Sequence, residues 1–155
     1  MTIQYRKAEK KDIKAMLNLI KELALYEKAP LEVTNTEETM LEDGFGNNPI
    51  FEAFVAEHND SIIGLALFYI SYSTWKGKCV YLEDIIVTES MRGKGIGQKL
   101  FDIVVVQSRK INAKRLQWQV LNWNNPAINF YEKIGSVLDS EWINCKLTEQ
   151  QILDY

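Results

Sequence analysis

A chain of 155 residues, with 18 Lys and Arg against 21 Asp and Glu and a net charge of −3, is sized for one domain with a substantial core and lacks the basic stripe of a nucleic-acid binder. No apolar run approaches the roughly 18–20 residues of a membrane span, and the first residues read as a polar strand with no export signal, which points to the cytosol. The single histidine, His58, reads as a solvated turn residue beside Asn59-Asp60, so neither a histidine metal site nor a Ser-His-Asp triad is expected, while Cys79 and Cys145 lack C-x-x-C spacing and read as reduced core thiols.

Residues 2–7 read as a short strand. From Lys10 to Tyr26, apolar residues at Ile13, Met16, Leu17, Ile20, Leu23 and Ala24 form a helical stripe. Thr34-Asn35-Thr36-Glu37 has capping-box spacing and opens a second helix that ends near Gly44. Phe51–Glu57 and Ser61–Tyr72 flank the Asn59-Asp60 turn as a hairpin, and Lys78–Val87 continues that meander as a third strand. A helix over 95–111 follows, in which Ile103-Val104-Val105-Val106 carries a contrary strand propensity. Arg115–Val120 reads as a buried strand, Asn125–Ile134 as a helix entered through Pro126 and stopped by Gly135, and the tail as another strand or two before a helical turn opened by Thr148-x-x-Gln151. Strand 78–87, helix 95–111 and strand 115–120 make a βαβ unit inside an otherwise antiparallel sheet. Such units place their ligand at the carboxyl end of the first strand, so the expected site lies at the sheet's centre in a mixed α/β sandwich.

That carboxyl end carries the most informative stretch, Val-Tyr-Leu-Glu-Asp-Ile-Ile-Val-Thr-Glu-Ser-Met-Arg-Gly-Lys-Gly-Ile-Gly over residues 80–97. Glycines at 93, 95 and 97 let backbone N–H groups approach a ligand closely, and the helix start adds partial positive charge, which together suit a pyrophosphate. The Walker pattern fails, because no Lys-Ser or Lys-Thr follows a suitable glycine. The dinucleotide fingerprint fails as well, because after Gly93 and Gly95 the sixth position is Gln98. Glu83 stands mid-strand, where burying a carboxylate costs several kcal/mol without a partner. Simple alternation places Glu83 with Tyr81 and Ile85 on one face and Asp84 with Leu82 and Ile86 on the other, unless a bulge resets the register.

The remaining pattern, Arg-Gly-Lys-Gly-Ile-Gly, resembles the coenzyme A motif of the GCN5-related N-acetyltransferase superfamily. Leu19-Ile20-Lys21-Glu22-Leu23-Ala24 with Tyr26-Glu27, and Leu41-Glu42-Asp43-Gly44-Phe45-Gly46, are similar to blocks of its diamine (spermidine/spermine) N-acetyltransferases. Tyr72-Ser73-Thr74-Trp75-Lys76-Gly77 with Tyr81-Leu82-Glu83-Asp84 looks most like the subgroup acting on thialysine, and Asn129-Phe130-Tyr131 before Gly135 is similar to the final motif. The resemblance spans residues 3–142 and implies the fold of that superfamily: a central mixed, mostly antiparallel sheet of six to seven strands with helices on both faces, in a single domain over residues 1–155.

The resemblance also implies acetyl-CoA as co-substrate, no metal, and a homodimer. It assigns Ile85, Ile86 and Val87 to the pantetheine arm and Arg92, Gly93, Lys94, Gly95, Ile96, Gly97 and Gln98 to the pyrophosphate. Asn124, Asn125, Pro126 and Ala127 complete the acetyl-CoA site. Tyr131 matches the general acid and Glu83 the base acting through water, with Tyr26, Glu27, Glu83 and Asp84 on the amine. Ser73 departs from the spermidine-type enzymes, which have an aspartate there, and so removes one anionic contact for a long polyamine. The expected activity is acetyl transfer to a primary amine of a small cationic substrate, through a ternary complex. Two other readings keep the cofactor: acetylation of a protein N-terminus, lysine side chain or antibiotic amine, and acetyl-CoA sensing without transfer.

Overall fold

The computed structural model describes residues 2–155, which gather into two compact units, one ending at Gln119 and the other running from Val120 to Tyr155. The first unit holds a five-stranded sheet in the order β1-β2-β3-β4-β5, with β1 Gln4–Lys7, β2 Glu52–His58, β3 Ser61–Ser73, β4 Gly77–Val87 and β5 Leu116–Gln117. The first four strands pair antiparallel, and β5 lies parallel to β4. The sheet is thus mixed and mostly antiparallel, but with fewer than the six to seven strands expected.

Helix α1 (Ile13–Tyr26) is the apolar stripe read from the sequence: Ile13, Met16, Leu17 and Leu19 are buried. They pack with Met40 of α2 (Glu37–Phe45) against Ala53, Val55, Leu65, Leu67 and Ile86 of the sheet. Each such side chain contributes about 1.5–3 kcal/mol through removal from water. Glu9 and Asp12 form the capping box at the entry, Glu27 is the C-cap, and Lys28 turns the chain away at φ 62°. The α2 cap is Thr36, whose side chain accepts from the Thr39 N–H, and not Thr34 as the capping-box spacing suggested.

On the other face of the sheet lies α3 (Ile96–Lys110), which buries Ile96, Leu100, Phe101 and Val104. The strand propensity of Ile103–Val106 yields to this burial. Asn59 and Asp60 both adopt positive φ, the turn that matches the twist of a two-residue hairpin. Residues expected as strand over 115–120 pair only at Leu116 and Gln117.

The second unit contains α4 (Asn125–Lys133) and α5 (Glu149–Leu153). Asn124 caps α4 by accepting from the Ala127 N–H, Pro126 occupies the first turn, and Gly135 leaves the helix at φ +80°. Thr148 and Gln151 form the expected capping box. The tail strands expected before α5 are absent among the described residues. A strand needs a partner for its backbone groups, and residues there such as Val137 and Ile143 stand exposed. Cys145 is exposed with them and is not the core thiol expected, whereas Cys79 on β4 is buried.

Candidate active site

The parallel pairing of β5 with β4 is confined to Val80–Leu116 and Tyr81–Gln117, whereas β4 runs on to Val87. Beyond Tyr81 that edge of β4 is left without a strand partner in the first unit. The β4 segment includes Ile85, Ile86 and Val87, to which the family resemblance assigns the pantetheine arm.

A bulge lies where this free edge begins. Leu67 pairs with Asp84 and Phe68 with Leu82, so Glu83 is the extra residue on β4. Cross-strand partners share a face. Leu82 therefore lies with Phe68 on the α3 side. Asp84 lies with Leu67, on the α1 side. Tyr81 pairs with Tyr69 on that same side, their rings stacked at 5.3 Å. Simple alternation, which separates Glu83 from Asp84 and keeps Asp84 with Leu82, is corrected here: the bulge turns both acids toward the α1 face.

The electrostatics follow from this gathering. Burial, then the charges of Glu83 and Glu27, push the Asp84 carboxyl up to about 6. Burial, then the charge of Glu83 and hydrogen bonding to it, raise the Tyr69 hydroxyl to about 12. Tyr81 is raised by burial and by Glu83, and Glu27 by burial. Glu27 also sits at the negative end of the α1 dipole, which costs a carboxylate about 0.3–1 kcal/mol. Glu27, Glu83 and Asp84 thus form a region whose mutual repulsion a cation would relieve. They are not spaced as a metal cage: no group of three His, Cys, Asp or Glu among the described residues is placed to hold a metal ion.

The glycine turn follows β4. Gly93 and Gly95 adopt φ of +73° and +76°, and a Cβ at either would meet nothing within 4 Å, so the space over the turn is open. Gly95 is the N-cap of α3, with no side chain capping the helix. First-turn N–H groups of Ile96, Gly97 and Gln98 are therefore the orphan donors of a helix start, which suit an anion. Gly97 differs from the other two: a Cβ there meets only Val87 Cγ2 at 3.8 Å. The Lys94 ammonium rests on the Ser90 carbonyl at 3.3 Å. Arg92 is turned back onto the protein, with Nε donating to the Val87 carbonyl at 2.9 Å and its guanidinium 4.9 Å from the centre of the Tyr26 ring.

The structure thus brings Glu27, Glu83 and Asp84 together, and Tyr26 against Arg92. Asn124, Asn125, Pro126, Ala127 and Tyr131 belong to the second unit. There Tyr131 is buried on α4, its ring set edge-on to Phe130 at 5.3 Å and its carbonyl accepting from the Ser136 hydroxyl at 2.8 Å. Sequence reasoning missed Tyr69, which was detectable only through its register with Tyr81, and Glu22, whose carboxylate accepts from the Glu89 N–H at 2.8 Å.

Residues 13–135 match the acetyltransferase (GNAT) family. This chain belongs to that family. As a GNAT protein it is an N-acetyltransferase, and its mixed sheet with the glycine turn between β4 and α3 is the family's architecture. Thialysine N-epsilon-acetyltransferase of Bos taurus is 38% identical over 86% of this chain and 84% of its own length. The human spermidine/spermine N(1)-acetyltransferase-like protein 1 is 35% identical over 97% of this chain, which spans 23% of that longer protein. Among solved structures, an integron cassette protein of V. cholerae superposes with a TM-score of 0.80 over 99% of this chain and 97% of its own, at 23% identity. No helix among the described residues of this GNAT chain is long and apolar enough to cross a membrane.

Proposed function

We propose that this enzyme transfers an acetyl group from acetyl-CoA to a primary amine of a small cationic substrate, a diamine, polyamine or lysine-like amino acid, through direct attack in a ternary complex. One observation carries the reading: the bulge at Glu83 gathers Glu83, Asp84 and Glu27 beside the free edge of β4 and just before the glycine turn. The residues present suit coenzyme A. Gly93, Gly95 and the uncapped start of α3 offer N–H donors under open space for a pyrophosphate, and the Ile85–Val87 edge offers backbone groups to an amide-bearing arm. The resemblance adds the backbone of Arg92, together with Lys94, Asn124, Asn125, Pro126 and Ala127, to that assignment.

Acetyl-CoA supplies an activated acetyl thioester. An alkylammonium, with a pKa of about 10.4, must lose a proton before its nitrogen can attack. Asp84 and Glu27 hold the cation, and Glu83 takes its proton through a water. As the new C–N bond forms and the C–S bond breaks, Tyr131 donates its phenolic proton to the departing sulfur. The ammonium thus gives up two protons on its way to the amide, the first to Glu83 through water and the second, as the tetrahedral adduct collapses, to the Tyr131 oxygen that has just protonated the thiolate. The likeness to the thialysine and spermidine/spermine enzymes supports the substrate class, and Ser73 in place of an acid favours the shorter amine.

The same reading takes residues 1–155 as a single N-acetyltransferase domain, working in the cytoplasm as a homodimer. Exposed apolar residues of the second unit, including Val137, Trp142 and Ile143, supply material for an interface between copies. The test of the site is Glu83→Gln. It should lower kcat/KM for amine by roughly 10²–10⁴ near neutral pH, with the gap narrowing as pH rises and free amine accumulates. A variant with wild-type kcat/KM across the pH range would remove Glu83 from the proton path.

A further inference from the structure

The glycine turn is held from α1. Glu22, one turn before the end of the helix, reaches across to the short loop between β4 and α3. Its carboxylate accepts from the Thr88 hydroxyl at 3.0 Å and from the Glu89 N–H at 2.8 Å. It thereby caps the single 3₁₀ turn Glu89–Met91 with a side chain from a distant part of the sequence. The same carboxylate lies 3.8 Å from the Arg92 guanidinium, which also donates to the Val87 carbonyl and covers the Tyr26 ring. The Thr88 contact is partly buried, while those to Glu89 and Arg92 lie nearer the surface.

We infer that Glu22 is a positioning residue for the acetyl-CoA cradle, and that the Arg92 side chain serves as a strut between β4, Glu22 and Tyr26 in place of a phosphate ligand. The inference rests on reading the 92–98 turn as that cradle. The reasoning is geometric. Gly93 and Gly95 have no side chains to fix the turn, so its backbone donors must be oriented from outside. The described contacts that anchor the loop immediately before them run to Glu22, to Val87 and to Ile63, whose carbonyl accepts from the Thr88 N–H at 2.9 Å. Tyr26 borders Glu27 on the amine side, so the strut also ties the order of the cradle to the amine-binding end of α1. Three guanidinium contacts within the protein leave Arg92 committed before any ligand arrives.

The test is a titration of CoA by calorimetry with the wild type, Glu22→Ala, Thr88→Val, Arg92→Met and the Glu22→Ala/Arg92→Met double variant, each checked by circular dichroism. Alanine at position 22 keeps the helix propensity, and Thr88→Val removes only the hydroxyl donor, so a folded variant is available even if one fails. The expected result is CoA affinity weakened about tenfold in Glu22→Ala and in Arg92→Met, and less in Thr88→Val. The double variant should be weaker than either single but clearly short of the product of their losses, because the Glu22–Arg92 contact is removed in both singles. In steady-state assays Glu22→Ala should raise KM for acetyl-CoA while kcat at saturation stays within a few-fold, a split that general destabilisation does not produce. Wild-type CoA affinity in both Glu22→Ala and Thr88→Val, or losses that multiply to about a hundredfold in the double variant, would overturn the inference. Absence of CoA binding to the wild type would instead remove the cradle reading beneath it.

Discussion

Asp84 carries the most informative single carboxyl group in the chain. Its folded pKa of about 6 stands above the ordinary 3.8 because burial and the charges of Glu83 and Glu27 disfavour its ionised form. The folded protein therefore binds this proton more tightly than the unfolded chain, so the contribution is favourable below about pH 4 and is lost as pH rises through about 6. Asp84→Asn should flatten stability against pH in that window and raise stability at pH 7.5 by on the order of 1–2 kcal/mol, read by urea denaturation. An unchanged slope would show that Asp84 is not repelled by its neighbours. A bound amine reverses the sign for the wild type: its positive charge lowers the Asp84 pKa and favours the ionised pair. Tyr131 makes the opposite kind of prediction, since the role proposed for it is confined to the reaction. Tyr131→Phe should lower kcat by about 10²–10⁴ while CoA affinity by calorimetry stays near wild type, and equal turnover would end the general-acid assignment.

Among the elements, the turn between β4 and α3 separates glycines that the backbone requires from one that it does not. Gly95→Ala forces a side chain into the left-handed region and costs about 1–2 kcal/mol, so KM for acetyl-CoA should rise. Gly97→Ala sits inside α3 with only an ordinary contact to Val87 and should raise the melting temperature slightly. Most elements were legible in the residues: the α1 stripe, the Asn59-Asp60 hairpin, the glycine turn and the Thr148 box all lie where periodicity and capping place them. The bulge at Glu83 was not, because a period of two carries no mark of an extra residue; it is visible only when β3 and β4 are paired. Strand β5 was overread from its apolar residues, since strand length depends on how far β4 stays alongside. Nothing in the sequence singles out Glu22 within its block on α1, for its partners at Thr88 and Glu89 are far along the chain.

At the scale of the whole molecule, the first unit is pinned by a charge cluster distant from the chemistry. Arg6 on β1 binds Asp12 through both terminal nitrogens, at 2.6 and 2.9 Å, and Glu57 on β2 through Nε at 2.7 Å. The hydrogen bond from Arg6 outweighs burial and holds the buried Asp12 carboxyl below its ordinary value. That contribution is present above about pH 4 and is lost as pH falls through the lowered pKa, the reverse of Asp84. Asp12→Ala leaves Arg6 short of its main partner and should cost about 3 kcal/mol, read as a lower urea midpoint with an unchanged slope. Activity at permissive temperature should survive, because the cluster touches neither the acids of β4 nor the glycine turn. The account as a whole requires acetyl transfer to a small cation. The most direct measurement is thiol release from acetyl-CoA in the presence of thialysine, lysine, putrescine, spermidine, spermine and an aminoglycoside. The account predicts CoA release with the small amines, fastest with the shorter lysine-like or diamine substrates, and slowed by roughly 10²–10⁴ near neutral pH in Glu83→Gln; measurable acetyl-CoA binding with no release for any amine would contradict it.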